Sequence, residues 1–449
     1  MGKLFGTDGI RGLVNEYPIT CEMAMDIGRA LAYLFRAGTG KSKIVIGKDT
    51  RISGDMIESA LVSGVCSMGV DAVLTDVLPT PGIAYMTSSM GANAGIVISA
   101  SHNPFYDNGI KIFNKEGFKL SDEKEKEIEH IILNGKTASM CRSIRDTGRA
   151  YKIEDTAKKY ADFLKSALTE GFSLNGMKIV MDCANGATYQ VAPELFKRLG
   201  ADVESIYTEP DGKNINKNCG SQHLEALIEI VLKKEADIGL AFDGDGDRLI
   251  AVDENGSVLT GDQILAVCAN MLKLNSKLNN NLVISTIMSN MGLKVALKDL
   301  GIEHIMTNVG DRYVMEQMVS SGSVLGGEDS GHTIFLNHHT TGDGILSALK
   351  LIESMKFESK PLSELKKVMK VFPQALINVE VKSKPEINSL NAVQRAISSV
   401  EKILGEKGRV LVRYSGTQPI CRVMVEGPTE EETSGYCIRI ADVLKRLIG

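Results

Sequence analysis

The sequence predicts an α/β protein with three related mixed α/β units, followed by a smaller α+β domain. Two observations support this fold class: one pattern of strand, loop, helix and second strand occurs three times, and the last part of the chain follows a different pattern. A chain of 449 residues is also too long for one ordinary hydrophobic core, so several domains are expected.

The three copies begin at Lys43, Lys178 and Asn281. Each opens with a short β-branched run, passes through a polar loop and continues with the apolar spacing of an amphipathic helix. Each predicted helix stops at a glycine and is followed by a second strand. These glycines are Gly69, Gly200 and Gly301. Such units build mostly parallel sheets, and ligands gather at the carboxyl ends of their strands.

Polar connectors separate these units, and the end of the chain differs from them. A charged amphipathic stretch covers residues 121–143, and the polar segment 358–368 follows the third copy. From about Phe372 the sequence alternates apolar and polar residues, continues with a helical stretch and a strand (GRVLVRYSG), and ends in a last helix. This order predicts the smaller α+β domain.

Composition excludes several function classes. The chain has 51 basic and 56 acidic residues, a net charge of −5, which argues against nucleic acid or an anionic membrane as the main partner. No apolar run approaches the roughly 20 residues that span a bilayer. The eight cysteines are scattered without a CxxC pair. We therefore expect a cytoplasmic protein with reduced thiols.

The segment AFDGDGDR, residues 241–248, predicts a metal site. Asp243, Asp245 and Asp247 follow an apolar strand, and the glycines between them let the backbone curl and bring the carboxylates to one point. Hard oxygen ligands at this density suit Mg²⁺. The alternative is an EF-hand-like calcium loop, because Glu254 falls at the twelfth position. Arg248 at the sixth position, where such a loop needs glycine, and the strand-like flanks oppose it.

Ser101 ends another apolar strand in VISASHNPFYDNGIK, residues 97–111. Polar, reactive residues at a strand end indicate a site, yet no GxSxG elbow or base–acid pair accompanies this serine. A serine that carries a phosphoryl group, with a metal stabilising charge, needs no such activation.

Two further loops are candidates for substrate binding. RYSGTQPICR (413–422) resembles a phosphate cradle of two arginine forks, two hydroxyls and backbone amides, although an ordinary turn would look similar. GGEDSGH (326–332) offers a carboxylate and a hydroxyl of the kind that bind sugar hydroxyls, and a surface turn is the alternative. These loops come from successive units, an arrangement that predicts a cleft between domains.

The motifs SASHNP, DGDGDR, GGEDSGH and RYSGT, in this order, resemble the α-D-phosphohexomutase superfamily over essentially the whole chain. FGTDGIRG (5–12), NINKNCGSQH (214–223), VGDRYV (309–314) and TTGDGI (340–345) are most similar to the branch that acts on glucosamine phosphates. The resemblance implies four domains around a central cleft. We set them at 1–153 (phosphoserine), 154–256 (metal), 257–369 (sugar) and 370–449 (phosphate).

The resemblance implies an intramolecular phosphotransferase of the isomerase class, with a hexosamine phosphate as substrate and glucosamine 1,6-bisphosphate as intermediate. Ser101 would be phosphorylated, and its phosphate would hold one Mg²⁺ together with the three aspartates. Lys111 matches the family's general acid/base, and His332 is a second candidate. Arg11, His102 and Arg248 match positions close to the phosphoserine.

The resemblance also implies the contacts to the sugar and to its distant phosphate. Glu328 and Ser330 match the contacts to sugar hydroxyls. The distal phosphate site matches Arg413, Ser415, Gly416, Thr417 and Arg422. A homodimer is a further expectation from relatives, although no exposed apolar stripe is visible in the sequence.

Two residues depart from the family pattern and leave the substrate open. Asp329 stands where glutamine is common, and Gln418 stands where glutamate is usual. A phosphomannomutase or phosphoglucomutase of the same superfamily is therefore one alternative. A non-catalytic sugar-phosphate-binding protein on the same scaffold is another.

Overall fold

A computed structural model describes residues 4–6, 8–36, 41–135, 137–141, 146–415 and 419–449. The chain divides into two compact units. Unit 1 comprises Met1–Met288 and Ile302–Lys367, and unit 2 comprises Ser289–Gly301 and Val368–Gly449. Within the described residues, unit 1 contains three sheets and unit 2 contains one. No helix in this part of the chain is both long and apolar enough to cross a bilayer.

The first sheet of unit 1 has six strands and a mixed pairing pattern. Its strands are β1 (Ile10–Leu13), β2 (Lys43–Lys48), β3 (Asp71–Val77), β4 (Ala94–Ile98), β5 (Asp107–Asn114) and β6 (Ala150–Lys152). Its helices are α1 (Cys21–Phe35), α2 (Gly54–Ser67), α3 (Thr80–Ser89) and α4 (Asp122–Leu133). The order is β1-β5-β4-β2-β3-β6, and β5 pairs antiparallel with both of its neighbours.

The second sheet has five strands in the order β11-β10-β9-β7-β8. These strands are β7 (Lys178–Asp182), β8 (Asp202–Ile206), β9 (Ile238–Phe242), β10 (Leu249–Asp253) and β11 (Val258–Leu259). The accompanying helices are α5 (Thr156–Ser166), α6 (Val191–Arg198) and α7 (Glu225–Lys234). Strand β7 pairs in parallel with β8 and β9, whereas β9 and β10 form an antiparallel hairpin.

The third sheet has four strands in the order β13-β12-β14-β15. Its strands are β12 (Leu282–Thr286), β13 (Glu303–Thr307), β14 (Leu325–Gly327) and β15 (Thr333–Phe335). The helices of this part of the chain are α8 (Gly261–Leu274), α9 (Met291–Asp299), α10 (Asp311–Ser321), α11 (Gly344–Glu358) and α12 (Leu362–Leu365). Of these, α9 belongs to unit 2.

The structure contains the threefold repeat that the sequence predicts. In each sheet the two predicted strands pair in parallel, as β2–β3, β7–β8 and β12–β13. The glycines that end the connecting helices adopt left-handed backbones, with φ of 80°, 99° and 62° in chain order. The first strand of each parallel pair (β2, β7 or β12) is the central strand. On its other side it pairs in parallel with the first strand of an antiparallel hairpin. These hairpins are β4–β5, β9–β10 and β14–β15.

Unit 2 is an antiparallel sheet in the order β16-β18-β17 with amphipathic helices. Its further elements are β16 (Gln374–Glu380), α13 (Asn391–Leu404), β17 (Arg409–Tyr414), β18 (Ile420–Glu426) and α14 (Glu430–Ile448). Helix α13 buries Val393, Ala396, Val400 and Leu404, the three-to-four spacing of one helix face, in the core of this unit. The buried Glu426 accepts hydrogen bonds from Arg409 Nε at 2.7 Å and from the Met291 amide of α9 at 2.9 Å.

His339, which follows β15, contacts helices that accompany the other two sheets of unit 1. Its imidazole is neutral at pH 7. Its Nε2 lies 2.9 Å from the carbonyl of Pro81, its Nδ1 accepts the Thr340 amide at 2.8 Å, and the Phe163 ring packs edge-on at 5.2 Å. This pairing fixes the tautomer with the proton on Nε2. Burial lowers the pKa of His339 to about 4.

We expect the lowered pKa of His339 to make unit 1 less stable at acidic pH. Between pH 6.5 and about 4 the unfolded chain takes up a proton that the folded imidazole does not, so stability is present at pH 7 and lost as pH falls. Denaturant unfolding of wild type and His339→Gln at pH 7 and 5 measures this. Wild type should lose about 2 kcal/mol more than the variant, and equal losses would contradict the assignment.

Candidate active site

The loops of the three hairpins converge within unit 1. We call them the serine loop (99–106), the aspartate loop (243–248) and the glutamate loop (328–332). Ser101 Oγ donates to Asp243 Oδ2 at 2.6 Å, which joins the first two loops. The Leu249 amide, directly after the aspartate loop, donates to the Gly331 carbonyl of the glutamate loop at 3.1 Å. Equivalent positions of the repeat thus supply one cluster of functional side chains.

Ser101 is buried and its backbone is left-handed, with φ of 53°. A left-handed residue with a side chain costs about 1–2 kcal/mol and requires support from its surroundings. Its amide donates to Ser99 Oγ at 2.9 Å. Its hydroxyl oxygen lies 3.4 Å from His102 Nδ1 and faces the aspartate loop.

Asp243, Asp245 and Asp247 are buried and offer oxygen atoms that all lie within 4.8 Å of one another. Gly244 and Gly246 permit this curl. A Cβ on Gly244 would come within 2.6 Å of the Ser101 carbonyl oxygen, and Gly246 has φ of 72°. The glycines therefore do what the sequence predicts of them.

The chemistry of this cluster fits a hard cation. Oδ1 of Asp245 and Oδ1 of Asp247 are buried and have no hydrogen-bond partner within the described part of the chain. Burial raises the pKa of Asp243 well above its usual range, and the charges of Asp247 and Asp245 raise it further. Crowded carboxylates with free oxygens are the ligands that a divalent cation binds.

Lys111 lies in the middle of β5 and neutralises this cluster. Its Nζ is 2.7 Å from Asp245, 3.3 Å from Asp247 and 3.2 Å from Asp8. Burial opposes its charge, but these three carboxylates more than offset that effect and raise the pKa of Lys111 well above its usual range. The side chain is therefore a charged ammonium group that donates a hydrogen bond to Asp245.

His332 lies between two carboxylates. Its Nδ1 is 3.7 Å from Asp247, its Nε2 is 3.4 Å from Asp311, and the Gly342 amide donates to Nε2 at 3.1 Å. Burial lowers the pKa of His332, but Asp247 and Asp311 outweigh burial and raise it. Lys119 bridges Asp311 and Asp8, which extends the charged network around the cluster.

Arg11 and Arg248 provide positive charge around the serine and aspartate loops, and His102, the residue after Ser101, contacts Arg248. Arg248 Nη1 donates to His102 Nδ1 at 2.9 Å, and Arg11 pairs with Asp8. Burial and the charges of Arg248 and Arg11 lower the pKa of His102 to about 4. Because its Nδ1 accepts this bond, His102 orients Arg248 rather than acting as a base on Ser101.

The glutamate loop presents Glu328 and Ser330. Glu328 Oε1 accepts the Gly310 amide at 3.1 Å, and burial, followed by the charge of Asp311, raises the pKa of this carboxyl. Ser330 is exposed at the tip of the loop. A fixed carboxylate next to an exposed hydroxyl is an arrangement suited to sugar hydroxyls.

In unit 2, Arg413 and Arg422 lie directly opposite each other on β17 and β18. Burial and the charge of Arg422 lower the pKa of Arg413. Arg422 Nε is buried and has no hydrogen-bond partner among the described residues. Two opposed guanidinium groups with an unused donor suit an anion. Ser415 follows Arg413 at the end of β17, whereas Gly416 and Thr417 lie outside the described residues.

The chain matches models of one known family along most of its length. Four family profiles match in chain order, described as "Phosphoglucomutase/phosphomannomutase" α/β/α domains I, II and III and C-terminal domain. They cover residues 2–139, 158–256, 260–372 and 376–443. The phosphoglucosamine mutase of Syntrophus aciditrophicus is 62% identical over 449 residues, which is 100% of both chains.

The chain belongs to the phosphoglucosamine mutase family.

Solved structures agree with this assignment at the level of fold. A phosphoglucomutase/phosphomannomutase family protein from Burkholderia thailandensis matches with a TM-score of 0.81 and 25% identity, over 98% of this chain and 97% of that one. The N-acetylphosphoglucosamine mutase of Aspergillus fumigatus, solved with GlcNAc-6P and magnesium, matches with a TM-score of 0.63 and 16% identity. That match covers 99% of this chain and 96% of the fungal one. The predicted superfamily and the predicted four-domain α/β fold are confirmed.

Part of the charged network in this phosphoglucosamine mutase family member was not predicted from the sequence. Asp8, Lys119 and Asp311 join the predicted residues around the aspartate loop. Asp8 and Asp311 lie in the quoted motifs FGTDGIRG and VGDRYV, so the motifs marked the right segments without assigning these side chains. Glu254, the twelfth residue of the calcium-loop alternative, instead accepts a hydrogen bond from the Ser363 amide at 3.2 Å.

We expect Mg²⁺ to stabilise this protein through the three aspartates. A cation present at about 100 times its Kd adds about 2.7 kcal/mol to the free energy of unfolding. Thermal unfolding with Mg²⁺ or with EDTA should therefore show a clear upward shift in Tm for wild type. Asp247→Asn should lose that shift, whereas Glu254→Gln should keep it. A shift retained by Asp247→Asn would exclude this metal site.

Proposed function

We propose that this protein interconverts glucosamine 6-phosphate and glucosamine 1-phosphate, with Ser101 as the phosphoryl carrier. The observation that carries the proposal is the hydrogen bond from Ser101 Oγ to Asp243, inside a buried cluster of three carboxylates. The proposal also draws on the family, since a relative that is 62% identical over the full length is a phosphoglucosamine mutase.

The three aspartates, together with a phosphate on Ser101, would hold one Mg²⁺ per chain. When bound, the ion stabilises the charge that develops on the transferred phosphoryl group. The unpartnered oxygens of Asp245 and Asp247 support this ligand set. The fungal enzyme of the same fold was solved with magnesium.

The reaction would proceed as two phosphoryl transfers. In the first, the bond between phosphorus and Ser101 Oγ breaks and a bond to the 1-oxygen of glucosamine 6-phosphate forms, while Ser101 Oγ gains a proton and the 1-hydroxyl gives its proton to the acid/base side chain. The product is glucosamine 1,6-bisphosphate. After the sugar reorients, the Ser101 hydroxyl gives up its proton and takes the 6-phosphoryl group, the 6-oxygen gains a proton, and glucosamine 1-phosphate leaves.

The charged side chains around Ser101 would have separate roles in these steps. Lys111, an ammonium group 2.7 Å from Asp245, would donate and recover the proton, and His332 is the second candidate. Arg11 and Arg248 would bind oxygens of the transferring phosphoryl group, with Arg248 oriented by His102.

The remaining residues would recognise the parts of the sugar that do not react. Glu328 and Ser330 would contact its hydroxyl groups. In unit 2, Arg413, Ser415 and Arg422, together with Gly416 and Thr417, would bind phosphate. Reorientation requires that these contacts suit both directions of the bisphosphate, so they centre on groups common to both.

The substrate is tested by phosphorus NMR with glucosamine, glucose and mannose 6-phosphates separately, each with Mg²⁺ and a trace of the matching bisphosphate. We expect turnover of the amino sugar far above the other two. A preference for mannose or glucose would keep the mechanism and assign the substrate to the neighbouring branch, with Asp329 and Gln418 as the first residues to exchange. No turnover of any sugar phosphate would support a binding protein.

Ser101→Ala should lose nearly all turnover, because it removes the hydroxyl that contacts Asp243 of the aspartate loop. Removing a covalent carrier costs on the order of 10⁴-fold or more in kcat. Ser88→Ala is the matched control, since Ser88 is exposed on α3 and its hydroxyl donates to the Tyr85 carbonyl at 3.1 Å. Phosphopeptide mapping of wild type should locate the phosphate on Ser101. Turnover retained by Ser101→Ala, an equal loss in the control variant, or phosphate on Ser99 would contradict the assignment.

A further inference from the structure

The motif NINKNCGSQH has no role in the reaction described so far, yet one of its side chains reaches the serine loop. Asn216 lies in the second domain and contacts the loop that carries Ser101 in the first. We propose that Asn216 is a positioning residue, which fixes the backbone of Ser101 for phosphoryl transfer together with Arg51. This inference rests on the function proposed above and adds a residue to it.

The amide group of Asn216 donates two hydrogen bonds to the serine loop. Its Nδ2 lies 2.9 Å from the carbonyl oxygen of Ser101 and 3.0 Å from that of Asn103. Arg51 Nη2 donates to the same two oxygens, at 3.0 and 2.8 Å. Each carbonyl therefore has one donor from the first domain and one from the second.

We call the hydrogen bonds from Arg51 and Asn216 to these two carbonyl oxygens the clamp. Arg51, the half of the clamp from the first domain, is itself held in place. The arginine is buried, its Nε donates to Asp49 at 2.9 Å, and its Nη1 donates to the carbonyl of Asp107 at 3.0 Å. The same Asp49 carboxylate accepts from Ser99 Oγ at 2.6 Å, and Ser99 Oγ accepts the Ser101 amide. Both the amide and the carbonyl of Ser101 thus belong to one hydrogen-bonded network.

Asn216 is fixed from its own side and touches the aspartate loop. Its backbone is left-handed, with φ of 57°, and its amide donates to the Ala184 carbonyl at 2.9 Å. A Cβ on Gly244 would lie 2.7 Å from Asn216 Nδ2 and 2.6 Å from the Ser101 carbonyl oxygen. The serine carbonyl, the asparagine amide and the metal loop are therefore packed against one another.

The clamp matters because the backbone conformation of Ser101 is unfavourable. Its hydroxyl oxygen must also occupy the same position in both phosphoryl transfers of a cycle. A serine with φ of 53° stays in place only if its neighbours hold its two peptide groups. Phosphoryl transfer requires the reacting atoms to lie in line at close range, and small displacements are costly. Asn216 acts on this geometry through the main chain and touches none of the reacting atoms.

The test compares Asn216→Ala and Asn216→Asp with Asn218→Ala and Asn218→Asp. Asn218 has the same left-handed backbone two residues further on, with φ of 52°, and is exposed. We expect Asn216→Ala to lower kcat about 10- to 100-fold with KM changed less than about threefold. Asn216→Asp should be slower still, because a carboxylate would face two carbonyl oxygens. Both Asn218 variants should stay within about twofold of wild type.

Two outcomes of the kinetics would overturn the proposal. If Asn216→Asp kept wild-type kcat, the side chain would serve only by its size, since aspartate and asparagine are isosteric. If Asn218→Asp lost as much as Asn216→Asp, added negative charge rather than lost donors would be the cause. The phosphorus resonance of phosphoserine 101 is the second readout: it should shift or broaden in the Asn216 variants alone, and an unchanged resonance would count against positioning.

Failure of the proposed function can be told apart from failure of this inference. Wild-type enzyme without turnover of any sugar phosphate would contradict the function. Amide hydrogen exchange of the segment 99–106 then still decides whether the clamp exists. Faster exchange in Asn216→Ala, with exchange unchanged in Asn218→Ala, supports the clamp, and equal exchange in wild type and both variants overturns it.

Discussion

The arrangement of unit 1 depends on compensating the negative charge of three carboxylates that are buried beside one serine hydroxyl. Asp243, Asp245 and Asp247 lie within 4.8 Å of one another in a place from which water is largely excluded. Carboxylates placed so close together repel strongly unless positive charge compensates them. The elements around them provide that charge: Lys111 from β5 in direct contact, and Lys119 through Asp8 and Asp311. A divalent cation would complete the compensation, through the oxygens of Asp245 and Asp247 that have no hydrogen-bond partner among the described residues.

The repeat explains how one chain assembles this cluster. Each of the three sheets places an antiparallel hairpin beside its central parallel strand, and each hairpin loop provides a different function. The first presents the serine, the second the carboxylates and the third a glutamate and a histidine. Hydrogen bonds then connect these loops, as between the Ser101 hydroxyl and Asp243 at 2.6 Å and between Leu249, directly after the aspartate loop, and Gly331. One architecture, repeated three times, thus supplies three complementary loops.

Much of the fold and the reactive part of the site could be predicted from the sequence, because both depend on local patterns. Repeats of strand, helix and glycine predict the sheets, and the DGDGD spacing predicts that the carboxylates lie close together. The supporting contacts could not be predicted, since each joins residues far apart in the chain. Asn216 is 115 residues from the carbonyl that it contacts, and Lys119 is 192 residues from Asp311. Only the folded chain shows which polar side chain meets which loop.

The position of Lys111 in a central strand restricts insertions and deletions within that strand. Strand β5 is held on both sides, with Lys111 opposite Val97 of β4 and Gly109 opposite Arg11 of β1. Its neighbours Ile110 and Ile112 point into the hydrophobic core on the other face. Adding or deleting one residue within β5 would exchange these faces, placing an ammonium group in the core and an isoleucine among the carboxylates. The number of residues in this strand is therefore constrained by the need to keep Lys111 on the face of the carboxylates and the isoleucines in the core.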